Sequence, residues 1–147
     1  MASFLTHFSI GLLLGVVFRV PVILTIFASI FPDVDHLNPI YSRALLHNIF
    51  ILILSIVLYF TLFSRRVAIA MSICTTSHVI LDMIMGGYVR LLYPLSSQCF
   101  MITNIPLIGN YYVDLLGVVL LIISILLWVL RGRWEYSGEL LEVIRRC

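Results

Sequence analysis

The chain has no lysine and few charged residues of any kind. Only 11% of its 147 residues are charged, and nine arginines against seven acids give a formal net charge of +2. So small a charge gives no indication of nucleic-acid binding. Hydrophobic residues make up 62% of the chain, and the mean hydropathy is +1.14, far outside the range of soluble domains. The composition therefore predicts an integral membrane protein, with residues 1–147 as one domain.

Paired cysteines and targeting signals are also lacking. The three cysteines, Cys74, Cys99 and Cys147, show no spacing typical of a disulfide framework or a zinc ribbon. No basic residue precedes the first hydrophobic run, and no clean small-residue cleavage site follows it. We therefore do not expect this run to be a cleaved signal peptide.

Long apolar segments predict an all-α fold, a multi-pass transmembrane bundle of about five membrane-embedded helices. The first two are short, at about residues 4–18 and 21–31, and we expect a hairpin that turns at Arg19-Val20-Pro21. One continuous helix over residues 4–31 would be roughly 42 Å long, against a hydrocarbon core of ~30 Å. It would also bury Arg19 at a cost of roughly 2.5–3.5 kcal/mol. A proline favours the turn, because the residue before it avoids helical geometry.

The remaining spans are predicted at residues 45–63, 67–85 and 111–130. A mixed segment over residues 88–110 is predicted to be irregular or to lie at the membrane interface before the last span. Tyr111, Tyr112 and Trp128 bound that span as an aromatic belt would. The charged tail, residues 131–147, is predicted to be a short amphipathic helix.

Five crossings would distribute the arginines unequally between the two faces of the membrane. Arg43 and Arg90 would lie on one face, and the other seven on the opposite face. The positive-inside rule makes the arginine-rich face cytoplasmic, so we predict an inner-membrane protein. All four histidines and three aspartates then lie toward the extracytoplasmic face. A four-span alternative, with residues 4–31 continuous, would separate His7 from Asp35.

These imidazoles and carboxylates are the candidate functional groups. His78 and Asp82 lie four residues apart on one face of a predicted helix, and an ionised carboxylate inside a span is expensive and usually functional. Each group alone has a plainer explanation. His78 and Asp82 would pair with each other against a neighbouring helix, His47 would lie at the membrane interface, and Pro32-Asp33 would form a turn. Their coincidence at one face predicts a metal site formed by His7, Asp33, Asp35, His36, His47, His78 and Asp82.

The ligand chemistry limits which metal would bind there. Imidazoles mixed with carboxylates suit zinc, manganese, iron or nickel better than calcium or magnesium, which prefer oxygen alone. Zinc is the first expectation, with manganese or iron as alternatives. Arg43 and Arg90 lie on the same face and would bind a phosphate, or else serve as interfacial anchors.

Several motifs together resemble the YdjM-like family of membrane-bound, metal-dependent hydrolases, over roughly residues 5–95. The matching segments are His7-Phe8-Ser9, Phe31-Pro32-Asp33-Val34-Asp35-His36, Arg43-Ala44-Leu45-Leu46-His47, Ser77-His78-Val79-Ile80-Leu81-Asp82 and Leu91-Leu92-Tyr93-Pro94. A more distant likeness extends to zinc-dependent phospholipase C and P1-type nucleases. It implies one metal site from Asp33 or Asp35 with His47, His78 and Asp82, and a second in which His7 shares Asp82. The chain departs from the family pattern at Ser42, Leu46, Asn48 and Tyr93.

The expected function is hydrolysis of a phosphodiester or related ester, such as that of a lipid head group. A metal-activated water would attack, and a carboxylate of Asp33 or Asp35 that does not bind metal would act as base. Two alternatives use the same cluster. One is an ion or proton transporter, and the other is a scaffold without catalysis.

Overall fold

The computed structural model describes residues 4–37, 43–85, 88–102 and 110–130, and this part of the chain is all-helical, as predicted. An isolated antiparallel bridge joins Val89 to Phe100 in the otherwise irregular segment 88–102. The predicted tail helix, residues 131–147, lies outside the described residues. The elements in chain order are α1 (Phe4–Phe18), α2 (Val22–Ile30), a 3-10 helix (Phe31–Leu37), α3 (Ile49–Leu62), α4 (Arg65–Ile84) and α5 (Asn110–Leu130).

The predicted hairpin of α1 and α2 is present. Arg19 turns the chain with a φ of 56°, in the left-handed region that ends many helices. The amide of Val20 then donates to the carbonyl of Gly15 at 3.1 Å, which satisfies a backbone group at the end of α1. The turn keeps Arg19 out of the interior and sends α2 back along α1.

Two glycines set the close packing of this hairpin. A Cβ on Gly11 would lie 2.7 Å from the Cα of Ile26, and a Cβ on Gly15 would lie 2.6 Å from Oγ1 of Thr25. A larger residue at either position would therefore push α2 away from α1. Glycines four residues apart are the usual device for close helix contact in membranes.

Helix α3 begins later than predicted. The span was expected from residue 45, but Asn48 is the N-cap, and its side chain accepts a hydrogen bond from the amide of Ile51 at 2.9 Å. His47 consequently lies in a non-helical segment and not on the first helical turn. Helix α4 begins two residues earlier than predicted, at Arg65. The other predicted helix boundaries agree with the observed ones to within one residue. The 3-10 helix after α2 was not predicted.

Polar side chains lie inside the helix assembly and many large apolar ones lie outside. Helix α4 contacts α1, α2 and α3, whereas among the described helices α3 contacts α4 alone. The outward face of α3 exposes Ile53, Leu54, Val57 and Leu58. The buried polar residues are Thr6, His7, Ser9, Thr25, Ser29, Asp35, His47, Asn48, Ser55, Thr75, His78, Asp82 and Ser124.

Within the described residues, one helix is both long enough and apolar enough to cross a bilayer. This is α4, whose Arg65–Ile84 segment has a mean hydropathy of 1.7. The segments Phe4–Phe18, Ile49–Leu62 and Asp114–Leu130 are apolar but shorter.

The helix directions bring four segments to one end of the assembly. Gly117 packs on Thr6, and further along both helices Ser124 and Trp128 lie beside Leu12, so α1 and α5 run in the same direction. Bonds between residues 28–29 and residues 75–78 likewise show that α2 and α4 are parallel. The start of α1, the 3-10 helix, residues 43–48 and the end of α4 therefore meet.

Candidate metal centre

The four histidines and two of the aspartates form one cluster at this end. His7 comes from the second turn of α1, and Asp33 and His36 come from the 3-10 helix. His47 comes from the non-helical segment before α3, and His78 and Asp82 come from the end of α4. The predicted hairpin therefore does bring His7 back toward residues 31–36.

Hydrogen bonds to Nδ1 of His47 and of His78 fix the orientation and the tautomer of each ring. Nδ1 of His78 lies 2.6 Å from the carbonyl oxygen of Ser29, which can only accept, so Nδ1 carries a proton. Nδ1 of His47 lies 3.0 Å from Oδ2 of Asp35, and in the neutral ring it donates to that carboxylate. In both neutral rings the lone pair then resides on Nε2, the tautomer of a metal-binding histidine.

The two Nε2 atoms of His47 and His78 face each other at 3.1 Å. Two bare lone pairs repel at this distance unless a proton or a cation lies between them. Ligand nitrogens about 2.0–2.1 Å from one zinc ion would stand roughly 3.4 Å apart at a tetrahedral angle and roughly 2.9 Å apart at a right angle. The observed separation falls between these values, so the two rings fit a shared or adjacent metal.

Two sets of potential ligand atoms can be drawn, and each set lies within 4.8 Å. One set consists of His7, Asp33, His78 and Asp82. The other consists of Asp33, His36, His47 and Asp82. Both aspartates belong to both sets, while each set has its own pair of histidines. Two sets that share both carboxylates could hold one ion or two neighbouring ions.

Distances show how each aspartate contacts both histidine pairs. Oδ1 of Asp33 lies 3.4 Å from Nε2 of His78 and 3.3 Å from Nε2 of His36. Oδ1 of Asp82 lies 3.5 Å from Nε2 of His7, while its Oδ2 lies 3.4 Å from Nε2 of His47. Each carboxylate therefore stands between one histidine of the first pair and one of the second.

Asp82 is almost completely buried, at 1% exposure, yet it is poorly satisfied by the protein. Neither of its oxygens accepts an ordinary hydrogen bond from the described residues, and the nearest basic atoms stand at 3.4–3.5 Å. Both ring nitrogens of His7 are likewise buried without a hydrogen bond from that part of the chain. Unpaired buried groups of this kind are costly, and a divalent cation among them would satisfy carboxylate and imidazoles together.

Asp35 lies outside both ligand sets. Its Oδ2 binds Nδ1 of His47 and also accepts from the amide of Leu46 at 3.1 Å. Burial acts to raise the pKa of Asp35, but the hydrogen bonds from His47 and the backbone outweigh it, so its pKa lies below the usual value. The structure thus places Asp35 behind His47, where it orients the ring, and not among the groups facing the cluster.

Asp33 is the more accessible carboxylate, at 22% exposure. Burial acts to raise the pKa of Asp33, but the contact with His78 and the charge of nearby imidazoles outweigh it, so this pKa lies below the usual value. The side chain is therefore ionised at neutral pH and available as a ligand.

The two predicted phosphate-binding arginines have different surroundings. Arg43 has a left-handed φ of 56° and places Nη2 3.5 Å from Oδ2 of Asp82, with its side chain 12% exposed. Arg90 is joined to Arg43 through the backbone, by an amide-to-carbonyl bond of 3.1 Å. Within the described residues the guanidinium of Arg90 makes no ion pair with the acids of the cluster. Only Arg43 is therefore in contact with the candidate centre.

Backbone groups also hold these side chains, and these contacts were not predicted from the sequence. The carbonyl of Ser29 holds His78, and the amide of Leu46 holds Asp35. Backbone groups carry no side-chain signal, although Pro32, just after α2, marks a place where carbonyls lose their helical partners.

Comparison with known proteins identifies no relative of this chain. No model of a protein family matches it, and neither the curated proteins nor the solved structures contain a significant match. The case for a function therefore depends on the geometry of the cluster.

Proposed function

We propose that this chain is a membrane-bound, metal-dependent hydrolase that acts on a phosphodiester or a related ester. The observation that carries the proposal is the sharing of Asp33 and Asp82 between two pairs of histidines, all within ligand distance of one another. The proposal agrees with the motif resemblance to the YdjM-like hydrolases. Zinc suits this ligand set best, with manganese or iron as alternatives.

We further propose that the protein is a multi-pass inner-membrane bundle. Buried polar and exposed apolar side chains support it, since the surroundings of such a surface must be apolar. The parallel directions of α1 with α5 and of α2 with α4 agree with five alternating crossings. Arg65 and Arg66 begin α4, so they lie roughly 20 Å along that helix from His78 at 1.5 Å per residue. By the positive-inside rule the cluster then faces the extracytoplasmic side.

Each residue of the cluster would have its own role in hydrolysis. A divalent metal held by the histidines and by Asp33 and Asp82 would supply an acidified water and polarise the ester oxygen. Asp35 would keep the ring of His47 oriented. Asp33 is the more accessible of the two shared carboxylates, at 22% exposure, and its Oδ1 lies near His36 and His78, so its second oxygen would accept the proton.

Arg43 would bind the negative charge of the substrate. Its Nε and Nη2 atoms are buried and make no hydrogen bond with the described residues, so donors are available beside Asp82. A guanidinium matches the geometry of a phosphate through two parallel hydrogen bonds. A phosphate diester of a lipid or of another polymer at the membrane surface would present such a group.

Metal analysis of the purified full-length protein tests the proposal. We expect wild-type protein to retain zinc, manganese or iron, and the His78→Ala/Asp82→Ala double variant to lose it. Asp114→Ala is the matched control, because Asp114 is an exposed acid on α5 outside the cluster. A screen of phosphodiesters and lipids for head-group release, with each metal added, then identifies substrates. Equal and negligible metal in wild type and double variant would refute the proposal.

A transport function is the second candidate, and one feature favours it. Tyr59, Thr75 and Ser55 place buried hydroxyl groups below the cluster, with Tyr59 and Thr75 hydrogen-bonded at 3.1 Å. These groups would extend a proton path toward the arginine-rich end, but no acidic residue of the described chain continues it. Proton or metal flux into proteoliposomes, abolished in the double variant without any turnover of ester, would favour transport. Metal binding with neither flux nor turnover would indicate a non-catalytic scaffold.

A further inference from the structure

Pro32 stands where two carbonyl groups of α2 would otherwise find a helical partner. In an α-helix the carbonyl of Ala28 accepts from the N–H of residue 32, and in a 3-10 helix the carbonyl of Ser29 accepts from that same N–H. Proline has no N–H. Because α2 changes into the 3-10 helix at this point, Pro32 releases both carbonyls from the local hydrogen-bond ladder.

Helix α4 uses both of these carbonyls. Oγ1 of Thr75 donates to the carbonyl of Ala28 at 3.0 Å, and Nδ1 of His78 donates to the carbonyl of Ser29 at 2.6 Å. The donors are three residues apart on one face of α4, and both side chains are buried. The bond from Thr75 fixes the register of α4 against α2, and the bond from His78 fixes the orientation of its own ring.

We infer that Pro32 is a positioning residue for His78 in the proposed metal centre. By withholding an N–H, it leaves the Ser29 carbonyl to hold Nδ1–H of His78, which turns the lone pair of Nε2 toward Asp33 and His47. The functional meaning of this inference rests on the proposed metal centre. The hydrogen bond itself, and the tautomer that it selects, exist whether or not a metal binds.

The position of Pro32 in the chain links this role to the adjacent ligands. The same residue that ends the α-helical ladder precedes Asp33 directly and lies at the second position of the 3-10 helix that carries Asp33 and His36. It is almost fully buried, with exposure below 2%. Pro32 thus orients His78 on α4, and it also lies at the start of the 3-10 helix that carries Asp33 and His36.

A purely structural role for Pro32 predicts different behaviour. If the residue served only to end α2, its replacement would lower stability and leave the ring of His78 unchanged. If it positions His78, then the N–H introduced by Pro32→Ala competes for the Ser29 carbonyl. The ring of His78 then loses its fixed tautomer, and metal affinity falls.

Two readouts on full-length protein in nanodiscs test the inference. The first is zinc affinity by chelator competition, and the second is the ring protonation of His78 in metal-free protein from histidine ¹⁵N NMR, with His78→Gln to assign the signal. Removing a group that orients a metal-bound histidine typically weakens binding by roughly 10–100-fold, and we expect a loss in this range for Pro32→Ala. We also expect the metal-free wild type to show one tautomer with Nδ1 protonated, and Pro32→Ala to show a mixture.

Two control variants separate positioning from stability. Pro21→Ala changes the proline at the other end of α2, far from the cluster. Thr75→Val removes the neighbouring bond to Ala28 and the bond between Thr75 and Tyr59, and leaves the bond between His78 and Ser29 in place. We expect both controls to retain wild-type zinc affinity, although Thr75→Val should have a lower melting temperature.

The outcomes distinguish this inference from the proposed function. Unchanged zinc affinity and an unchanged tautomer in Pro32→Ala would overturn it, and so would an equal loss of affinity in Thr75→Val. If Pro32→Ala does not fold, an unprotonated Nδ1 of His78 in the wild type overturns it, and a protonated Nδ1 supports it. If the wild type binds no metal but shows the protonated Nδ1, the proposed function fails while the orientation of His78 by Ser29 remains supported.

Discussion

The two histidine pairs of the cluster are held in different ways. His7 and His78 come from α-helices, are at most 1% exposed, and stack with ring centroids 3.7 Å apart. His36 and His47 come from the 3-10 helix and a non-helical segment, and their rings are tilted with centroids 5.7 Å apart. His36 is also 28% exposed, whereas His47 is buried.

The contrast indicates two ligand sets of unequal rigidity. Side chains on packed helices have little room to move, because protein interiors are close-packed. A short 3-10 helix and a non-helical segment lack the continuous hydrogen-bond ladder of an α-helix, and His36 is partly exposed, so we expect these ligands to be less rigid. Ligands that are already ordered lose less entropy on binding. We therefore expect the first pair, His7 and His78, to hold its ion more tightly. The second pair, His36 and His47, should exchange its ion more readily.

Asp82→Asn should have the largest effect, because it affects both pairs. The carboxylate stands between His7 and His47, and the substitution removes its charge while its shape is kept. We expect loss of both bound ions and of hydrolysis, measured by metal content and by substrate turnover. Asp114→Asn is the control and should retain both. A variant that keeps one firmly bound ion would show that Asp82 does not join the two sets.

His78→Gln and His36→Gln compare the pairs directly. After gel filtration in metal-free buffer, we expect His36→Gln to retain about one ion per chain and His78→Gln to lose its tightly held ion. The reason is that His78 is buried and held by Ser29, whereas His36 is partly exposed. Equal losses in the two variants would break the distinction between the pairs.

Asp35→Asn should affect the second pair alone. The amide cannot supply the negative charge that holds Nδ1–H of His47, so we expect the exchangeable ion to bind roughly 10–100-fold more weakly. Turnover measured against added metal tests this expectation. If Asp35 only positions His47, excess metal restores activity. If Asp35 acts as the catalytic base instead, activity stays low at saturating metal.

Arg43→Lys should have the smallest effect and should spare both pairs. Lysine keeps the positive charge but cannot form the two-pronged bond to phosphate. Hydrogen bonds to charged groups contribute roughly 1.5–3 kcal/mol, and lysine still donates one of them. We therefore expect a loss at the lower end of this range, a roughly tenfold fall in kcat/KM for a phosphodiester. Metal content should not change. A lower metal content would mean that Arg43 stabilises the cluster and has no specific role in substrate binding.

Most of the helical framework followed from local features of the chain. The hairpin could be predicted because the cost of burying Arg19 and the turn-favouring Pro21 act within a few residues. The start of α3 was missed because apolar residues continue before Asn48, and hydropathy does not show where the cap lies. The close contact at Gly11 and Gly15 was also missed, although the four-residue spacing was a usable signal.

The members of the cluster were easier to foresee than their arrangement. Histidines and aspartates are so scarce in this chain that those in or beside apolar segments were evident as candidates. The separation of Asp35 from the groups that face the cluster was not evident. Asp33 and Asp35 lie two residues apart, and a 3-10 helix, which replaced the expected turn, directs them to different neighbours.

Composition and short-range pattern alone determined the helical class of the fold, the turn at Arg19 and the identity of the ionisable groups. These properties depend on hydropathy and on local backbone preferences, which act within a few residues. Tertiary structure alone decided how the histidines are paired. It also decided that Asp35 holds the ring of His47 and that the carbonyl of Ser29 orients the ring of His78. Those relationships depend on contacts between segments up to 75 residues apart, as between His7 and Asp82, and packing between helices sets them.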